Sequence, residues 1–164
     1  MSKIDCNWLK EHLSYNKETG AFIWIKSPGG GVKKDTETGC KNARNYILIG
    51  IKGKVFYAHR LAWLLTYGVW PECEIDHINK DSSDNRIANL RLATRIQNNQ
   101  NRKKFSNNSS GHTGIRWHKN DKLWNAYIGI NKKNVFLGGF KIIEDAITAR
   151  KKAEKELFTH APIG

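Results

Sequence analysis

With 164 residues, 39% of them hydrophobic, the chain is long enough for one ordinary domain or two small ones with compact cores. Lys and Arg outnumber Asp and Glu by 28 to 15, a formal net charge of +13 that favours a polyanionic partner. Three widely spaced cysteines, Cys6, Cys40 and Cys73, exclude a C-x-x-C zinc ribbon or a disulfide framework, and the longest apolar stretch, residues 61–70, is too short to span a bilayer.

Residues 4–13 carry Ile4, Trp8, Leu9 and Leu13 at helical spacing, which predicts a short amphipathic helix. After the turn signal NKETG, residues 21–25 read as a strand. The Gly-rich SPGGGVKK lacks the Gly-Lys-Ser/Thr ending of a phosphate-binding loop and reads as a flexible connection. Residues 46–51 and 54–57 alternate around Lys52-Gly53 as a hairpin, and residues 59–67 form a helix stopped by Gly68. Residues 73–76 can then be a short strand, 79–85 a polar turn cluster, and 90–93 a returning strand. Thr94 is a suitable N-cap for a helix that would carry Asn98 about one turn in, pointing back toward Asp76 and His77.

The run EIDHINKDSSDNRIANLRLATRIQNNQN, residues 74–101, holds the most informative pattern: the Asp76-His77 pair, then Asn85 and Asn89, then Asn98. Phosphodiester hydrolysis by one divalent ion requires such a set. A histidine removes a proton from water, while a carboxylate and an amide oxygen hold a hard cation against the phosphate.

This run resembles the HNH endonuclease family, and YAHRLAWLLTYGVWP before it resembles the phage and intron-encoded, homing-type branch. In that family the signature folds as two antiparallel strands and a helix around one metal. The resemblance implies that His77 is the general base and Asp76 a metal ligand. It makes Asn89 the central catalytic-site amide, tying the loop and orienting the histidine. Asn98 takes the place of the second protein ligand, with Asn99 a one-residue alternative. An amide at that place, where the name-giving motif has His, favours one Mg²⁺ or Mn²⁺ per site over softer metals. His59 also resembles a family position, and a structural, hydrogen-bonded role is expected of it.

Past the first turns of that helix, RIQNNQNRKKFSNNSSG has four cations and no acid, including Arg102, Lys103 and Lys104, and reads as a flexible basic tether. Its charge serves either solubility alone or contact with a DNA backbone or minor groove. Cations exceed acids in every section: 14 against 10 in residues 1–94, four against none in 95–110, and ten against five in 111–164. Charge by itself does not choose among DNA, RNA and anionic lipid.

Residues 113–118, 123–130 and 133–138 alternate as three strands joined at Asn120-Asp121 and Asn131-Lys132, and a helix follows over 143–158. Gly114-Ile115-Arg116, Trp124-x-Ala126-x-Ile128, Leu137-Gly138-Gly139-Phe140 and the helical Ala146, Ala149 and Ala153 resemble the Apetala-type or ethylene-response-factor DNA-binding domain. Period-two alternation turns Trp124, Ala126, Ile128 and Leu137 to the helix, and Arg116, His118, Asn125, Tyr127 and Phe136 outward. The resemblance implies that the outward row enters a major groove, with Lys132 and Lys133 as further DNA contacts.

The expected protein is α+β: an HNH nuclease domain over residues 1–104, a basic linker over 105–110, and a three-stranded antiparallel sheet packed on one helix over 111–164. Its expected work is metal-dependent hydrolysis of double-stranded DNA with the second domain as anchor, without membrane or organic cofactor, its oligomeric state left open. A non-catalytic sequence-specific DNA-binding regulator and an RNA-binding protein are the alternatives. The start MSKIDCNWLKEHL lacks a signal-peptide pattern, so an intracellular place is expected, a bacterial host's cytoplasm if the chain is phage-encoded.

Overall fold

Asp5 accepts a hydrogen bond from the Trp8 N–H at 2.8 Å and so caps helix α1 (Cys6–His12). The helix is shorter than its apolar spacing predicts, because Leu13 turns to extended backbone and starts β1 (Leu13–Tyr15), paired antiparallel with β2 (Phe22–Trp24). Leu13 stays buried, so the periodicity marks the apolar face correctly and misplaces only the end. The structure, a computed structural model, describes residues 4–101, 110–130 and 133–159. Arg102, Lys103, Lys104 and Lys132, and most of the expected tether, lie outside the described residues.

The chain divides into two units, Met1–Thr94 and Arg95–Gly164. In the first, β3 (Cys40–Lys41), β4 (Ile47–Ile51) and β5 (Lys54–Tyr57) form a sheet in that order. The expected hairpin turns at Lys52 (φ 49°) and Gly53 (φ 71°), the paired positive dihedrals that suit strand twist. Helix α2 (Ala58–Tyr67) ends at Gly68 (φ 77°), whose N–H reaches the Leu64 carbonyl. Strands β6 (Glu74–His77) and β7 (Leu90–Ala93) pair antiparallel, with a 3-10 turn over Ile87–Asn89 between them. Leu9, Leu13, Phe22, Trp24, Ile49, Ile51, Leu61 and Leu64 form the buried core, to which Ile75 and Leu90 attach the β6–β7 pair.

The second unit begins with α3 (Arg95–Gln100), whose six residues include no buried side chain. The division falls before α3, whereas the expected nuclease part runs to residue 104. Strands β8 (Ile115–His118), β9 (Leu123–Ile130) and β10 (Lys133–Phe140) form an antiparallel sheet in the order β10-β9-β8. Helix α4 (Ile143–Leu157) follows, and Ile115, Ala126 and Ala146 make the core with Trp124, Leu137, Phe140, Ile143 and Ile147 packed around it. Helices beside antiparallel sheets in both units make the chain α+β. Among the described residues no helix is long and apolar enough to cross a membrane.

One tie in the first unit connects positions 70 apart. The Tyr15 hydroxyl donates to the Asn85 carbonyl at 2.7 Å, and the Ile87 N–H donates to the Lys17 carbonyl at 3.1 Å. Between them Gly20 (φ 79°) lies so close that a Cβ would stand 2.8 Å from the Arg86 nitrogen. Burial pushes the Tyr15 hydroxyl pKa up to about 12, so it remains a donor at ordinary pH. Gly20→Ala, strained in backbone and in space, should lower the unfolding free energy by more than ~1 kcal/mol, and Tyr15→Phe by ~1 kcal/mol or more. Urea unfolding checks both; an unchanged Gly20→Ala midpoint would show that this contact does not hold the loop.

Candidate active site

Strand β6 delivers Asp76 and His77 as neighbours, and strand geometry turns them to opposite sides. Both are buried, each 5% exposed. Directly across the ladder from Asp76 stands Arg91, whose Nε and a terminal nitrogen donate to Asp76 Oδ2 at 2.8 and 2.7 Å. Sequence reasoning missed Arg91, because its partner becomes evident only once the strand register is known. The ion pair orients the carboxylate and compensates part of its desolvation.

His77 sits among aromatic rings. His59, in the first turn of α2, lies 5.2 Å from it between centroids with the ring planes at 86°, and Tyr46 lies 5.9 Å from it. Burial lowers the His77 pKa, and the Asn85 amide and the carboxylates of Asp76, Asp84 and Asp81 pull the other way. Burial prevails, which favours the neutral imidazole that a base must present. The Asn85 amide lies within polar reach of that ring, yet its buried Oδ1 has no donor at hydrogen-bonding geometry. Burial, followed by the charges of His77 and Arg60, pushes the His59 pKa down to about 3. His59 is enclosed, but its buried Nδ1 has no hydrogen-bond partner, which departs from the hydrogen-bonded role expected of the side chain.

Asn89 holds the connecting loop together. Its Oδ1 accepts from the Asn79 N–H at 3.0 Å, its Nδ2 donates to the Asp84 carbonyl at 2.9 Å, and its own carbonyl accepts from the Ile78 N–H at 2.9 Å. Asp84 is clasped by Arg86 at 2.8 and 2.6 Å and by Asn79 at 2.7 Å, and the Arg86 side chain keeps its pKa low. Asn89 thus shapes the loop that carries Asn85, and Asn85 is the amide brought toward His77.

Asp76, His77 and Asn89 come together in the first unit, whereas Asn98 and its neighbour Asn99 stand on α3, in the second. Among the described residues no three His, Cys, Asp or Glu side chains gather as a metal site. A buried, oriented carboxylate such as Asp76 suits a hard, oxygen-seeking cation that leaves most of its shell to water and phosphate.

In the second unit Arg116 pairs in register with Asn125, and Tyr127 with Phe136, on the face away from Ala126. The Arg116 guanidinium lies 5.9 Å above the Tyr127 ring, and the Phe136 ring 5.3 Å from it. His118 shares their strand alternation but is engaged by Asp121 at 3.0 Å. Lys133 pairs in register with Ile130, on the other face. Trp124 packs on the helix side as expected, with Trp117 against it at 5.1 Å.

Residues 56–100 match the family model described as HNH endonuclease, which is what this stretch is similar to. No curated protein and no solved structure matches the chain.

Because the folded pKa of His59, about 3, lies below its ordinary 6.5, the unfolded chain binds a proton there that the folded chain refuses. The stability it contributes is fully present above pH 6.5 and is lost as the pH falls toward 3. The urea midpoint of His59→Phe should therefore drop less than that of the parent between about pH 7 and pH 4. Parallel pH profiles would refute this assignment.

Proposed function

We propose that the chain is a divalent-metal-dependent endonuclease that hydrolyses phosphodiester bonds in duplex DNA, of the homing type, with the carboxy-terminal sheet anchoring it. The observation that carries this reading is the buried Asp76-His77 pair inside the stretch that matches the HNH endonuclease model.

His77, kept neutral by burial, takes a proton from water as the water oxygen attacks phosphorus; the bond to the 3′ oxygen breaks, leaving a 5′ phosphate and a 3′ hydroxyl. Asp76 and Asn98 would hold Mg²⁺ or Mn²⁺, which would neutralise charge on the phosphate and on the departing oxygen. Arg91 holds the Asp76 carboxylate in place. Asn89 and Asp84 fix the loop around the base.

The outer face of the second sheet supplies affinity. Arg116, Asn125, Tyr127 and Phe136 offer a cation, an amide and two aromatic rings to a groove, and Lys132, Lys133 and residues 102–104 add phosphate contacts.

His77→Ala should lower the rate of Mg²⁺-dependent nicking of supercoiled plasmid by ~10²- to 10⁴-fold while DNA affinity stays unchanged. In the same assay Asp76→Ala and Asn98→Ala should raise the Mg²⁺ needed for half-maximal rate. An effect at Asn99→Ala alone would move the ligand by one residue, and full nicking by His77→Ala would sink the base assignment.

Arg116→Ala should weaken DNA binding by ~1–3 kcal/mol at the preferred site if the guanidinium reads a guanine edge, whereas Lys133→Ala should weaken all sequences alike and reduce the salt dependence. Salt-titrated binding of both variants to matched and scrambled duplexes decides the matter. Unchanged affinity and salt slope in both would remove this unit from the DNA interface.

A further inference from the structure

His59 is a polar ring in a place where an apolar ring would pack. It is 8% exposed, its Nδ1 is buried without a hydrogen-bond partner, and this arrangement costs stability that phenylalanine would not. The imidazole is held on two sides, by Tyr57 at 5.4 Å in a nearly parallel stack and by Tyr46 at 5.5 Å. It stands almost perpendicular to the His77 ring, and Tyr46 touches both histidines. The last side-chain torsion of a histidine is intrinsically broad, so the plane of a histidine base must be set by its neighbours.

We propose that His59 is a positioning residue for His77, fixing the plane in which the base receives its proton and offering Nδ1 to the water and phosphate oxygens that enter with DNA. This inference rests on the nuclease reading and deepens it. An unpartnered nitrogen is costly in the resting protein but useful beside reactants that are all hydrogen-bonding oxygens. The neutral ring also adds no charge against the imidazolium that forms at His77. An aliphatic side chain would fill the space without setting a ring plane, and phenylalanine would set the plane without the nitrogen.

The test is single-turnover and steady-state nicking of plasmid DNA with Mg²⁺ or Mn²⁺ by the full chain. His59→Phe should lower kcat by ~10- to 100-fold, the scale of a lost hydrogen bond to a charged group, with KM and DNA affinity unchanged and the melting temperature not lowered. His59→Asn, which restores a polar group near the Nδ1 position, should cut faster than His59→Phe. On the residual rate of His77→Ala, His59→Leu should cost less than it does in the parent, since the part that acts through the base is gone with it. A folded His59→Phe that cuts at the parent kcat overturns the proposal, as does an undiminished loss from His59→Leu in the His77→Ala background. Should His59→Phe not fold, His59→Leu carries the same criterion for kcat. Absence of nicking by the parent chain overturns the nuclease reading instead, and this inference with it.

Discussion

Two antiparallel strands of four residues each cannot by themselves keep a carboxylate and an imidazole out of water, since an isolated pair of strands is marginal at best. The first unit depends on how that pair is held. Ile75 and Leu90 anchor it in the apolar core, and Arg91 answers the Asp76 charge across the ladder. From the other side, the turn between β1 and β2 grips the connecting loop through Tyr15, Lys17 and the close approach of Gly20. A residue near the amino terminus therefore governs where Asn85 sits, and Asn85 is the amide that approaches His77. The loop between β6 and β7 is long and polar, but Asn89 and Asp84 supply the hydrogen bonds that water would otherwise take.

The second unit solves a smaller version of the same problem. Its core has few large side chains, and a three-stranded sheet with one helix needs more than apolar area. Arg150 supplies part of the remainder: it is 8% exposed, donates to the Tyr127 carbonyl at 2.6 Å and pairs with Glu154 at 2.9 Å. Gly114, with a positive φ, lets that guanidinium and the Tyr127 backbone approach where a Cβ would collide. The helix is thus fastened to the middle strand from one side, and the face bearing Arg116, Tyr127 and Phe136 takes no part in the core. The core uses one face of the sheet, and strand alternation leaves the other for the DNA contact proposed above.

Most of the elements were legible because their signals are local. The hairpin around Lys52-Gly53, the helix stopped by Gly68 and the alternation of residues 123–130 each rest on neighbouring residues, and each stands where the pattern puts it. The end of α1 was not legible, because Leu13 satisfies a helical and an extended pattern equally and the pairing with Trp24 decides between them. In the site, Asp76 and His77 announce themselves as a dipeptide, and Asn89 lies in the same motif. Arg91 and Tyr46 do not, since one is reached through register and the other through a sheet distant in sequence. His59 was visible and assigned to structure, for a buried histidine is usually a satisfied one. Only the geometry shows that its Nδ1 is not.

The pairing of Asp76 with Arg91 also constrains how a cation would be held under the proposed function. A guanidinium on Oδ2 lowers the negative charge that a divalent ion would otherwise find, so the carboxylate alone is a weak site. The missing charge is carried by the scissile phosphate itself. Metal affinity and substrate binding are then linked, and each raises the other by the same factor. Such linkage favours a hard, strongly hydrated ion such as Mg²⁺, which gives up few waters and relies on phosphate for the rest. Under the proposed function the ion pair would then do more than stabilise the sheet: Arg91 fixes the carboxylate in one orientation and would leave the site short of charge until DNA arrives.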